Sequence, residues 1–149
     1  MLKKLPPVEK AYEAFSAIGD GRVEMHEEYA VIWSSDASRL YTVEWEGNKY
    51  MSDDSATFWQ GYPGYPVIAV LMLQGRLPMD EDVCRKMKGI AWKAVNDAHK
   101  RNYSAALDEV MNDLETRGTD TSDIRKLADI VNEQLALLDI ETGRKRKKK

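Results

Sequence analysis

Val67 to Leu73, VIAVLML, is seven apolar residues without interruption, and it limits the possible folds more than any other part of the chain. Pro66 suits the first turn of a helix, where its missing N–H has no partner to lose, and Gly75 suits the left-handed position beyond a helix end. A helix of this composition has no polar face and must be buried nearly all round. The β-branched Val67, Ile68 and Val70 leave a short buried strand as the alternative. Either way other elements must surround the segment, and seven residues are far too few to cross a bilayer.

What could surround it is read from periodicity. Val8, Tyr12, Phe15 and Ile18 recur at helical spacing after Pro6-Pro7 and stop at Gly19-Asp20-Gly21, which predicts one amphipathic helix over about 7–18. The period then changes to two. Tyr29, Val31 and Trp33 fall on one side of an extended chain, and Tyr41, Val43 and Trp45 alternate with Thr42 and Glu44. Gly47-Asn48 reads as a two-residue hairpin loop, a register that sets Trp45 opposite Tyr50 and Glu46 opposite Lys49. Ser34 to Ser38 reads as a longer connection, and Arg22 to His26 as a further strand.

Beyond Pro66 the period is helical. Asp80 caps a segment carrying Val83 and Met87, which Gly89 interrupts before Ile90, Trp92 and Val95. Tyr103, Leu107, Val110, Met111 and Leu114 form a stripe ending at Gly118. Thr119-Asp120-Thr121 starts a last helix through Ile124, Leu127, Val131 and Leu138. An antiparallel sheet with one apolar face needs a cover, and the later helices supply it. The expected architecture is α+β: an N-terminal helix, a three- to four-stranded antiparallel meander, then a C-terminal layer of four to five helices.

At 149 residues, 43% hydrophobic and 32% charged, the chain reads as one globular domain over residues 1–143. No apolar h-region follows Met1-Leu2-Lys3-Lys4-Leu5, so a cytoplasmic, non-membrane protein is expected. Cys84 is the single cysteine, which removes intrachain disulfides and multi-thiolate zinc sites. In Asp82-Val83-Cys84-Arg85-Lys86 it reads as a small buried residue on a helix rather than a nucleophile.

The net charge of −3 conceals a division. Arg144, Lys145, Arg146, Lys147, Lys148 and Lys149 are all basic, so residues 1–143 carry 16 basic against 25 acidic side chains, a net −9. Such a tail is expected to be disordered and to add nonspecific, salt-dependent attraction to nucleic acid, although the acidic body repels the same polyanion. A solvated terminus that only aids solubility is the alternative.

Chemistry is sparsely signalled. Glu24 and His26 share a strand face but lack a third metal ligand, and His99 suits a helix C-terminus. Asp53-Asp54 and Asp80-Glu81-Asp82 precede helical turns, where acids cap free amides. No phosphate loop, nucleophile elbow or metalloprotease pair is present, so no catalytic residue, metal or cofactor is assigned. Nine of thirteen aromatics lie within 29–65, and the strand aromatics read as core. In Tyr62-Pro63-Gly64-Tyr65 a type II turn is expected, with Gly64 at positive φ.

Three functional readings remain. The first is a non-enzymatic binding or adaptor module, with an unidentified protein partner and the basic tail as an auxiliary tether. The second is a small-molecule-binding protein or enzyme with an aromatic pocket at Trp59, Gln60, Tyr62 and Tyr65, polar handles coming from Arg76 and Asp53 or Asp54. The third is a self-associating subunit joined through the last helix.

Overall fold

The computed structural model describes residues 1–145. Helix α1 (Glu9–Gly19) leads into four strands, β1 (Val23–Met25), β2 (Tyr29–Trp33), β3 (Leu40–Glu46) and β4 (Lys49–Ser52). A single π-helical turn over Ala56–Gln60 precedes α2 (Tyr65–Leu73), α3 (Glu81–Lys86), α4 (Trp92–Ala98), α5 (Tyr103–Thr116) and α6 (Ser122–Leu137), and β5 (Glu141–Arg144) follows. The order of helix, meander and helical layer is the expected α+β one.

The sheet runs β1-β2-β3-β4-β5 with its first three pairings antiparallel. Gly47 turns the β3–β4 hairpin at φ +58°, and the predicted register holds: Trp45 faces Tyr50 and Glu46 faces Lys49. The connection between β2 and β3 is tied by Asp36, whose Oδ1 accepts from Ser34 Oγ, Ser38 N and Ser38 Oγ.

Two strand readings are corrected. In β2 it is Ala30 and Ile32 that face the core, both fully buried, while Tyr29 and Trp33 lie on the outer face at 41% and 44% exposure. Register decides this, because Ala30 pairs with the buried Val43 of β3 and Tyr29 with the half-buried Glu44. Tyr41, Val43 and Trp45 do lie on the inner side, so the two strands were read in opposite phase. The second correction concerns the C-terminus. Arg144, the first residue of the tail expected to be disordered, is the last of β5, which pairs parallel with β4 and so adds a strand that local sequence did not announce. Lys145 donates its N–H to Ser52 O at 3.0 Å and places Nζ 3.1 Å from Glu44. The expectations for Arg146, Lys147, Lys148 and Lys149 lie outside the described residues.

The apolar segment forms α2, with Pro66 in its first turn. It contacts β1, β3 and β4 on one side and α1 on the other. Val67 to Leu71 are all essentially inaccessible, and complete burial of each large aliphatic side chain is worth about 2 kcal/mol. Gly75 takes the left-handed conformation after the helix, φ +77°. Asp80 caps α3 as predicted, its Oδ1 accepting from Asp82 N and Val83 N at 2.8 and 3.2 Å.

Helix α1 departs from its prediction in the way that matters most for function. It meets α2, α3, α5 and α6, and every residue from Lys10 to Ala17 is buried. Its apolar stripe packs into the core as expected. Its polar flank, which by pattern alone would face water, is enclosed as well.

Candidate functional site

That enclosed flank lines a cavity of about 550 Å³ between α1, the 55–65 segment, the inner end of the sheet and the α4–α5 corner. The size lies within the range of small-molecule sites, about 300–1,000 Å³. Lys10 and Glu13, one helical turn apart on α1, stand at its interior with residue exposures of 7% and 5%. Lys10 Nζ lies 3.1 Å from Glu13 Oε2 and over the Tyr103 ring at 4.1 Å from its centroid. Asn96 of α4 donates to Glu13 Oε1 at 2.9 Å.

Glu13 Oε2 has no access to solvent and is met by the Lys10 ammonium at 3.1 Å, so the pair closes on itself within the cavity wall. Buried acceptors are rarely left unmet, because the desolvation cost is not returned. Burial pushes the Glu13 carboxyl above its ordinary range, against the opposing pull of Lys10 and Asn96. For Lys10, burial is the largest influence and lowers the ammonium, but Glu13, Tyr103 and Tyr62 together outweigh it and hold the value above the ordinary one. Both shifts favour the protonated form: the ammonium stays charged, while burial works against the carboxylate.

The wall is aromatic and cationic. Tyr41, Tyr62, Tyr65, Trp92 and Tyr103 supply rings, and Arg22, Lys93 and Arg101 join Lys10 as cations against only Glu13 and Asp97. An excess of positive charge thus collects in one concavity of an acidic body. Burial raises the phenols of Tyr41, Tyr62 and Tyr65, which keeps them as neutral O–H donors. Trp92 is fixed by its indole N–H to Ser16 Oγ at 2.8 Å, and Ser16 Oγ in turn donates to Met87 O at 2.7 Å. Arg22 is fixed by Asp20 at 2.9 Å and by Trp33 O at 2.6 Å.

The 55–65 segment is positioned by a buried knot around Asp54. Asp54 accepts from Ser52 Oγ, from Thr57 Oγ1 at 2.8 Å and from Thr57 N at 3.1 Å, and Thr57 Oγ1 accepts from Gly64 N at 3.0 Å. This contact also corrects the turn reading. Gly64 has φ −75° and ψ 175°, an ordinary extended conformation, so positive φ does not explain the glycine. Space does: a Cβ there would sit 1.9 Å from Asp54 Oδ2.

Of the residues singled out from sequence, Trp59, Gln60, Tyr62 and Tyr65 all line the cavity. Trp59 stands on the rim, 70% exposed, edge-on to Phe58 at 4.7 Å and under the Arg144 guanidinium at 5.7 Å. Arg76 is not among the lining residues; its Nη1 donates to Tyr50 OH at 3.1 Å. Asp53 accepts from Thr42 N at 2.9 Å, and Asp54 belongs to the knot. Of the tail residues, Arg144 donates to Phe58 O at 2.8 Å. Cys84 is buried, its thiol pushed up to about 11 by burial and by the charges of Asp80 and Glu81. Among the described residues no group of three or more His, Cys, Asp or Glu could hold a metal ion, and no helix is long and apolar enough to cross a membrane.

Sequence reasoning missed Lys10, Glu13, Arg22, Asn96 and Tyr103. The one available signal was Lys10 and Glu13 at i,i+3 beside a stripe already apolar enough to be core, a pattern that a solvated salt bridge shares.

No curated protein and no solved structure matches the chain. The family described as "Uncharacterised conserved protein UCP014422" matches residues 3–141. The match takes in every helix, the whole meander and the cavity between them, and the chain belongs to that family.

Proposed function

We propose that the protein binds a small organic anion in the cavity beside α1. The observation that carries this reading is the lining: a concavity of ligand size in an acidic chain, walled by aromatic rings and by four cations, Lys10, Arg22, Lys93 and Arg101, against the two carboxylates Glu13 and Asp97. Cations gathered in a concavity attract an anion out of water, and an aromatic wall holds its organic part. Of the aromatic corner, exposed Trp59 and Gln60 stand at the rim, while Tyr62 and Tyr65 lie deeper in the wall. The same side chains would serve substrate binding if a reaction takes place there.

Thermal unfolding in the presence of millimolar mononucleotides, sugar phosphates, amino acids and dicarboxylates tests this. Any compound bound well below its concentration raises the midpoint through mass action. At least one member should do so, and Asn96→Ala, at the cavity wall, should weaken the shift. No shift across the panel, together with no small molecule retained in native mass spectra of the purified protein, would overturn the reading.

One observation favours an adaptor as a second reading. Tyr29, Trp33 and Leu40 stand exposed on the outer face of neighbouring strands, where a protein partner could pack. Trp33→Ser should then abolish binding of that partner and leave the cavity panel unchanged.

A further inference from the structure

We infer that the cavity's ligand is a free phosphate monoester of a planar ring compound, its ring held inside and its phosphate kept at the rim by Arg101 and Lys93. The inference rests on the small-anion reading above and narrows it to one chemical class and one orientation.

The cations divide by depth. Those of the interior are already balanced: Lys10 Nζ lies 3.1 Å from Glu13 Oε2, and Arg22 Nε donates to Asp20 at 2.9 Å while its Nη1 donates to Trp33 O at 2.6 Å. These two side chains are only 9% and 11% exposed. An anionic group carried down to them would lose its water and find no uncompensated charge in return. The rim differs. Lys93, 43% exposed, is paired with Asp97 at 3.5 Å, and an exposed pair of that kind is worth little. Arg101 is exposed and pairs with no carboxylate among the described residues. Two further cations rest on rim residues. The Arg144 guanidinium lies over the Trp59 ring at 5.7 Å, and Lys4 Nζ donates to Gln60 O at 3.1 Å.

Such an excess at the opening suits a multiply charged group. A phosphate monoester carries about −1.5 to −2 near pH 7, whereas a carboxylate carries a single charge. The guanidinium fork of Arg101 matches two phosphate oxygens at once. Its backbone is unusual as well: Lys100 and Arg101 are consecutive non-glycine residues at φ +53° and +65°, a costly conformation of the kind that clusters at ligand clamps. Deeper in, the lining is uncharged apart from the two balanced cations and their partner Glu13. Buried Tyr62 and Trp92 and half-buried Tyr65 and Tyr103 offer flat faces, which hold a planar ring by stacking and by keeping water from it.

Isothermal titration of the full chain tests class and orientation together. AMP and riboflavin 5′-phosphate supply ring and phosphate, adenosine and riboflavin the ring alone, ribose 5-phosphate the phosphate without a ring, and indole-3-acetate a ring with a carboxylate. At least one ring phosphate should bind, about tenfold or more tightly than its parent and than the other probes, as expected for a charge-assisted contact. Its affinity should fall several-fold between 0.05 and 0.5 M salt, because contacts at an exposed rim are screened. Arg101→Gln, a change at an exposed side chain, should weaken the ring phosphate about tenfold and leave its parent unchanged. A parent or indole-3-acetate binding as tightly as the ring phosphates would overturn the class, and an affinity indifferent to salt and to Arg101→Gln would overturn the orientation. Tighter binding of a phosphotyrosine peptide or of a 5′-phosphorylated oligonucleotide than of either free ester would overturn the free ligand. Silence from both ring phosphates while another small anion binds would remove this inference alone. Silence from every anion, with no retained small molecule, would remove the small-anion reading with it.

Discussion

Replacing Lys10 and Glu13 singly and together separates what the buried pair does for folding from what it does for the cavity. The two side chains are 9% and 7% exposed, with Nζ and Oε2 3.1 Å apart. At an effective dielectric of about 20 that distance gives an attraction of about 5 kcal/mol, while each ion gives up several kcal/mol of hydration, so the pair contributes little net stability. Lys10→Met or Glu13→Met strands the other charge in the interior and is expected to cost about 3–5 kcal/mol. The double variant removes both charges at similar volume. It loses the cation–π contact of Lys10 with Tyr103, about 1 kcal/mol, and half-buried Asn96 loses one acceptor but keeps access to water. It should therefore unfold within about 2 kcal/mol of the wild type, far short of the two single losses added. Urea unfolding, followed by tryptophan fluorescence and far-ultraviolet dichroism with m-values compared, measures the coupling. A double variant losing as much as the two singles combined would mean zero coupling, so that neither charge compensates the other, and the reasoning from a buried pair would be refuted.

Gly64→Ala should destabilise by at least about 2 kcal/mol, because the new methyl meets Asp54 Oδ2 and the carboxylate is held by three bonds; an unchanged denaturant midpoint would refute the close packing of the knot. Cys84 should react with a disulfide reagent near neutral pH only at the rate of unfolding, since its thiol is buried and pushed up to about 11; fast labelling of the native protein would contradict its placement in α3. Asp36 accepts hydrogen bonds from Ser38 Oγ, Ser38 N and Ser34 Oγ, which lower its carboxyl to about 2. Folded below its unfolded value of 3.8, it contributes stability above about pH 3.8 that is lost as the pH falls toward 2. Its carboxyl carbon resonance should titrate near 2, and Ser38→Ala should move that midpoint upward; a wild-type midpoint near 3.8 would refute the bonded loop.

How much was legible in the sequence follows from the range of the interaction concerned. The hairpin register at Gly47-Asn48, the Asp80 cap, the breaks at Gly75 and Gly118 and the helical stripes after Pro66 each depend on residues within a few positions of one another. Local sequence therefore determined them. The same holds for the apolar run of α2, whose burial no arrangement of this chain could avoid. Four residues that line the cavity were also singled out in the sequence, because two prolines and two glycines among four aromatics mark a rigid corner.

Tertiary structure decided the rest. Which side of β2 faces inward depends on its pairing with β3, and alternation alone is equally consistent with Ala30 and Ile32 or with Tyr29 and Trp33. The parallel strand β5 depends on a partner some ninety residues earlier in the chain, Lys49 opposite Glu141. Gly64 is required by the carboxylate of Asp54, a contact that no turn rule contains. The cavity is the largest such case: Lys10, Glu13, Asn96 and Tyr103 become one site only because α1 is packed on its polar flank as well as its apolar one. A sequence records which side chains a helix carries, but the chain folded around that helix determines whether a charge meets water or an enclosed space.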